Sequence, residues 1–370
     1  MEFNQSSGKP CPAPAETFRK GGYEYVTGEI EKGLKNGSRE ARVSGSWTID
    51  RAVCIPSDFR LILSDCHLRM ADGCFSNIFT NENCYKSEGR RPEGADRNIT
   101  IEGEGTAILD GSEYNGLSER NEMTDGRPPI WKNNLLLFSN VDGFRISGIS
   151  CRNMRWWALN FLFCRNGYIG NVDFLANDAA VDSEGRVYHG LKRAKYEEVL
   201  VKNADGIDLR QGCRDIVIEN ITGFTEDDSV ALTALDGDLE RTFGVEGLCP
   251  DICNVTVRNI RTASYCTNVR ILNQGDIKIH DIMIDGVYDT SENSPHLDRG
   301  IYAVRIGDRH MYGKRHANEA ETYNITVKNV YGRGDYVLAV KGAAKNLVTE
   351  NLEAAPGTGL ILDLREGKGK

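Results

Sequence analysis

Apolar and polar residues alternate through a short unit that returns along the 370-residue chain. Asn98-Ile99-Thr100-Ile101-Glu102-Gly103, Gly143-Phe144-Arg145-Ile146-Ser147-Gly148 and Asn166-Gly167-Tyr168-Ile169-Gly170-Asn171 begin the series. Asp215-Ile216-Val217-Ile218-Glu219-Asn220, Asn254-Val255-Thr256-Val257-Arg258-Asn259, Asp276-Ile277-Lys278-Ile279-His280-Asp281, Asn324-Ile325-Thr326-Val327-Lys328-Asn329 and Asn346-Leu347-Val348-Thr349-Glu350-Asn351 continue it. The period of two marks half-buried strands, with Ile and Val on one face and Thr, Lys, Arg or Glu on the other. The starts at 254 and 276 lie 22 residues apart, as do those at 324 and 346, and most other gaps are near one or two such periods. A long fixed period with a strand unit in each repeat predicts a solenoid, here a parallel β-helix with one turn per period. An antiparallel sandwich would instead place its strands roughly every 8–12 residues.

The units open or close on Asn, Asp or Gly, which tolerate the backbone of tight corners. Stacked Asn side chains can also bond one another along the helix axis. Between residues 22 and 36, Val26, Ile30 and Leu34 recur every four positions, predicting a short amphipathic helix that caps the first coil. Segments 84–97, 113–130, 176–198, 236–248 and 289–320 are polar and are expected to be loops, the usual carriers of function on a rigid scaffold. The expected organisation is an N-terminal segment and cap over residues 1–40 and one β-helix domain over 41–365, followed by a frayed tail.

A hydrophobic fraction of 40% suffices for a continuous core, and a net charge of −9 weighs against nucleic acid or acidic membranes as partners. No apolar run approaches the ~20 residues of a membrane helix. The start, Met1-Glu2-Phe3-Asn4-Gln5, has neither a basic stretch nor an apolar one, so a cytoplasmic location is expected, or a secreted one if a leader has been removed. The eleven cysteines are irregularly spaced and read as buried, reduced thiols. Cys249 and Cys253 lack a second Cys/His pair, and no metal or cofactor is expected.

The candidate chemistry lies in Asn203-Ala204-Asp205-Gly206-Ile207-Asp208 and in Glu226-Asp227-Asp228, which precedes Val230-Ala231-Leu232. The offset of 22 from Asp205 to Asp227 puts them on neighbouring coils, about 4.8 Å apart in the hydrogen-bonding direction. Hydrolysis of a glycosidic bond needs one protonated carboxyl to serve the leaving oxygen and one carboxylate to activate water; an inverting pair stands roughly 6.5–9.5 Å apart. Crowding raises the pKa of one member, which keeps its proton near neutral pH. Asp205, Asp227 and Asp228 suit this chemistry. Asp208 and Asp215 read instead as corner residues making turn hydrogen bonds.

These residues resemble glycoside hydrolase family 28, the polygalacturonases and their right-handed parallel β-helix relatives. Residues 203–208 are similar to the family's Asn-Thr-Asp-Gly motif, and Asp227-Asp228-Ser229-Val230-Ala231-Leu232 to its Asp-Asp-x-Ile-Ala-Ile. Asn268-Val269-Arg270-Ile271-Leu272 resembles Gly-x-Arg-Ile-Lys. The resemblance spans most of residues 40–350 and implies a right-handed β-helix that inverts at a glycosidic bond. By it, Asp227 is the general acid, Asp205 and Asp228 hold the attacking water, and Arg270 binds substrate. Two departures stand out: no histidine of a Gly-His-Gly motif appears over 235–247, and the motif's lysine is Leu272.

His296, Arg299, Arg305, Arg309, His310, Lys314, Arg315 and His316 crowd one segment, as a solvated basic loop or as an anion clamp led by Arg309 and His310. Tyr312 lies where the resembling family places a substrate-contacting tyrosine. Of the adjacent Trp156 and Trp157, one points outward on a strand and could stack on a sugar, unless both pack in the core. His189 could fold over the site in place of the absent histidine. The expected function is an inverting glycosidase on a poly- or oligosaccharide, uronate-containing by the resemblance. The rivals are a non-catalytic carbohydrate-binding β-helix and a uronate lyase or epimerase.

Overall fold

The computed structural model describes residues 17–112, 130–154, 156–182, 184, 186–190, 192, 199–200 and 204–365. The expected loop at 113–130 lies outside the described residues apart from Ile130, as do Asn203 and the tail 366–370. The described chain winds between two long parallel sheets, giving a right-handed parallel β-helix. One sheet stacks ten short strands from Val53–Ile55 to Gly359–Asp363. The other is built from longer strands such as Arg165–Leu175, Arg214–Thr225 and Ile252–Ser264.

The longer strands bend in the middle. Asn171, Asn220, Asn259 and Asn329 each adopt φ between 51° and 56° there. The pairing skips them: Gly170 pairs with Glu219 and Val172 with Ile221. This left-handed backbone costs most residues about 1–2 kcal/mol, and Asn is among the few that reach it routinely. The bend splits each long strand across two walls, so the core is enclosed on three sides. The corner amides bond between coils as the sequence suggests. Asn220 donates to Asn171 at 3.1 Å, Asn259 to Asn220 at 2.8 Å and Asn351 to Asn329 at 2.9 Å. Asp215 holds such a corner at φ 57° and accepts from Asn254. Asn259→Ala is expected to lose about 1–2 kcal/mol of stability, from left-handed alanine and a broken rung; equilibrium urea unfolding measures it, and a change under a few tenths of a kcal/mol would refute the corner's energetic role.

The pairing corrects the period. Asn346 and Asn324 bond across 22 residues as expected. Asn98 and Asp58, however, bond across 40, Asn324 and Asp281 across 43, and Asn220 and Asn171 across 49. Each of these gaps is a single coil enlarged by a loop, not two coils. The unit at Asp276 is out of step as well: its strand is Ile279–Asp289, and Cys253 pairs with His280, which puts Asn254 level with Asp281. Backbone pairing fixes the register, whereas an inserted loop need not keep the period.

Helix α1 spans Gly22–Lys35. Val26 and Ile30 join the main core, each contributing about 1.5–3 kcal/mol by burial. Leu34 does not; it is 37% exposed, and Gly33 takes the buried place. A Cβ at Gly33 would lie 2.3 Å from the Glu40 carbonyl oxygen, so the close approach requires glycine.

Four expected loops carry regular structure. The 84–97 segment contains two 3-10 turns, Glu88–Arg90 and Pro92–Gly94, and the 176–198 segment the short antiparallel strands Ala180–Asp182 and Val187–Tyr188. The 236–248 segment contains helix α2, Asp238–Phe243, and the 289–320 segment contains the strand Tyr302–Ile306. Among the described cysteines none is in a disulfide; six are buried, while Cys54 and Cys249 are exposed. Burial pushes the Cys66 thiol up to about 12. Among the described residues no helix is long and apolar enough to cross a membrane.

Candidate active site

The strands Ile207–Leu209, Val230–Ala234, Thr267–Asn273 and Tyr302–Ile306 lie side by side in the ten-stranded sheet. Ile207, Val230, Val269 and Val304 point into the core, and each is fully buried. The alternating positions form a row on the opposite face. Asn160 pairs with Asp208, Asp208 with Ala231, Ala231 with Arg270 and Arg270 with Arg305. Residues far apart in sequence thereby become neighbours on one strip of wall.

Three carboxylates sit at the head of this strip. Ile207 pairs with Val230, so Asp205 is level with Asp228, not with Asp227. The offset that matters is 23: the Asp228 backbone N–H donates to Asp205 Oδ1 at 3.0 Å. The turn holding Asp227 is tied from behind, where Thr225 Oγ1 and Ser264 Oγ donate to its carbonyl oxygen at 2.9 and 2.6 Å. One carboxylate oxygen from each of Asp205, Asp227 and Asp228 lies within 4.8 Å of the others. This is a distance between nearest oxygens, and so is shorter than the separation of roughly 6.5–9.5 Å between whole carboxyl groups that describes an inverting pair. Asp227, at 8% exposure, is the most accessible of the three.

Asp208 is not a corner residue, contrary to the expectation from sequence. It lies in the strand, fully buried, with Arg210 Nη2 at 3.0 Å from its Oδ1. Arg210 Nη1 reaches Glu240 of α2 at 3.3 Å, and its guanidinium lies 3.7 Å from the Trp157 ring centroid. Burial pushes the Asp208 carboxyl up to about 7, with Arg210 pulling the other way. Asp205 is driven well above the usual carboxylate range, first by burial and then by the charges of Asp208, Asp227 and Asp228. Both folded-state pKa values are raised, so the native protein binds protons that the unfolded chain releases. The stability given by Asp208 is complete below about pH 4 and is lost as pH rises through about 7. Asp208→Asn is therefore expected to flatten the fall in melting temperature between pH 4 and 8. An unaltered slope would exclude Asp208 as its source.

Arg270 Nη1 bonds Asp228 Oδ2 at 3.0 Å, and its Nη2 bonds Asp308 Oδ2 at 3.1 Å. Arg305 pairs with the same Asp308 carboxylate. The Tyr312 ring lies 5.3 Å from the Arg270 guanidinium and 4.5 Å from the His310 ring. Gln274 fixes this loop by accepting from the Tyr312 and Gly313 N–H groups and donating to the His310 carbonyl at 2.6 Å. Arg309 and His310 are exposed on the loop. His189 is bonded to Asp178 at 2.9 Å, and Asp178 also holds His296 at 2.8 Å. Trp156 and Trp157 are both buried, at 4% and 5%, in a cluster with Phe163, Leu239 and Phe243. Trp157 therefore lacks the open outer face expected for sugar stacking, because Arg210 covers it and no strand runs through the pair.

Sequence reasoning passed over Arg210, Glu240, Gln274 and Asp308. The signal for the last was the second Val-Arg-Ile, Val304-Arg305-Ile306, with an aspartate three residues after its arginine. The 235–247 interval, expected to lie one coil beyond the aspartate pair, is not level with it. Val230 pairs with Val269, so the position one coil beyond the aspartate pair falls at Tyr265-Cys266-Thr267, and 235–247 is an insertion carrying α2. The in-register position has no histidine either. Leu272 is buried at 3%. Asp205, Asp227 and Asp228 could between them ligate a cation, although Arg270 already supplies Asp228 with a positive partner.

The solved structures similar to this one include a polygalacturonase from Erwinia carotovora ssp. carotovora, at 15% identity and TM-score 0.52, covering 93% of each chain. The fold is shared with polygalacturonases. An endo-xylogalacturonan hydrolase from Aspergillus tubingensis matches at 14% identity and TM-score 0.53 over 94% of each chain. An exopolygalacturonase from Thermotoga maritima matches at 14% and 0.51, over 88% of this chain and 87% of its own. No protein-family model and no curated protein matches the sequence.

Proposed function

We propose that the protein is an inverting glycoside hydrolase acting on an oligosaccharide or on chain ends. The observation that carries this is the convergence of three carboxylate oxygens within 4.8 Å at the head of one strip of sheet. A water bonded at about 2.8 Å to two oxygens spans up to roughly that separation, so two carboxylates can hold one water while the third faces the leaving group. Asp227, the most exposed, gives its proton to the leaving oxygen. Asp228, paired with Arg270, takes the proton of the attacking water. Asp205, whose carboxyl burial pushes up, lies against the Asp228 backbone and orients that water. The resemblance to the polygalacturonases gives the same three residues, with Asp205 joining Asp228 in holding the water.

The aromatic cluster over Trp156, Trp157 and Phe243 covers the preceding coils of the same face. A glycan site closed on that side favours chain ends over mid-chain attack. Anomer-resolved NMR of the first product tests the reading, with inversion expected. Retention would overturn the stereochemistry, and an unsaturated product absorbing in the ultraviolet would reassign the protein as a lyase. One observation favours a second reading, binding without turnover: the absence of a histidine at 265–267. Glycan binding with no product would establish it.

A further inference from the structure

We propose that this face of the sheet takes an uncharged glycan and turns away uronates, because the arginines beside its carboxylates are already occupied by them. The inference rests on reading this face as a glycan site. Arg270 is divided between Asp228 and Asp308, at 3.0 and 3.1 Å, and Arg305 is held by the same Asp308. Arg210 is divided between Asp208 and Glu240, at 3.0 and 3.3 Å. Further out, Lys314 is paired with Asp236, and Arg315 with Asp276 and Glu321.

A sugar carboxylate arriving beside Arg270 meets one of two obstacles. It can displace Asp228 or Asp308, which are 1% and 6% exposed, and leave that charge buried without a partner. Or it can add one more negative charge to a crowd that already includes Asp205, Asp208 and Asp227. The two positions that could have brought a further cation, two residues beyond Arg270 and Arg305, hold Leu272 and Gly307.

The polar atoms left over on this wall point to the ligand's chemistry. Arg270 Nε and Arg305 Nε are buried donors without a hydrogen-bond partner, and Thr267 Oγ1 and Asp228 Oδ1 are buried oxygens in the same condition. A mixture of unused donors and acceptors suits hydroxyl groups, each of which can both give and accept. Tyr312, 48% exposed over Arg270, offers a ring face to the apolar side of a sugar. Arg309 is the remaining cation of the loop, out in solvent where screening weakens it.

The test is binding on an array of matched oligosaccharides, each neutral member printed beside the uronate that differs by a carboxylate in place of a hydroxymethyl group. The pair α-1,4-galactotriose and trigalacturonate is also titrated calorimetrically. The wild type is expected to hold neutral members roughly tenfold or more tighter than their uronates. Asp308→Asn keeps the side-chain oxygen that receives the His310 N–H, frees Arg305 from its carboxylate and leaves Arg270 with Asp228 alone. It is expected to gain uronate affinity by a similar factor, with a melting curve confirming that it folds. Preference of the wild type for uronates overturns the proposal, as does an Asp308→Asn variant that gains no uronate affinity. Uronate binding that disappears in Arg309→Ala also overturns it and assigns carboxylate recognition to Arg309. The readout is affinity, so a protein that binds neutral glycans and cleaves none keeps this inference and loses the hydrolase assignment. One that cleaves uronates does the reverse.

Discussion

Asp227→Asn is expected to lower turnover by about 10²–10⁴-fold, the usual scale for removing a general acid. The amide has the carboxyl's shape but cannot deliver a proton. Its backbone carbonyl remains tied to Thr225 and Ser264, so the turn should keep its geometry and the protein its melting temperature. A collapse in turnover with an unchanged melting curve therefore separates chemistry from folding. A substrate with a good leaving group, which needs little protonation, should recover part of the loss. Turnover equal to wild type on every substrate would remove Asp227 from the mechanism and leave binding as the site's role.

Arg270→Ala should be the most damaging change to stability in the site, at about 3–5 kcal/mol. It leaves Asp228 and Asp308, both nearly buried, with a shared cation removed. Arg305 can still serve Asp308, but Asp228 has no second side-chain cation among the described residues. Arg270→Lys should recover only part of this, since one ammonium cannot reproduce a fork that serves two carboxylates at 3.0 and 3.1 Å. Denaturant unfolding of the three proteins orders them, and an alanine variant within 1 kcal/mol of wild type would show that water already screens Asp228.

Asp208 shows where local reading stops. An aspartate beside glycine and apolar residues suggests a turn, and Asp215 does hold one. Asp208 falls one step into a strand, on the outer face, where α2 and Trp157 bury it together with Arg210. Nothing within a few residues of position 208 announces the cover, because Glu240 and Trp157 come from other coils. The same limit misdirected the search for the absent histidine: counting one period forward assumes coils of equal length, and the coil after Asp228 carries an inserted helix.

The repeating alternation of apolar and polar positions, punctuated by Asn and Asp, was sufficient by itself to specify a parallel β-helix. Strand period and corner chemistry are local properties, written residue by residue. It also singles out Asp205, Asp227 and Asp228 as candidates, since acidic residues at the entries of successive strands fall on stacked coils. Register, loop length and what lies over the outer wall were decided only in three dimensions. Backbone hydrogen bonds between coils select which residues become level, and the long insertions that shift the count leave no trace in the strand pattern. For that reason the pairing of Asp205 with Asp228, the burial of Asp208, and the sharing of Arg270 between two carboxylates belong to the tertiary structure alone.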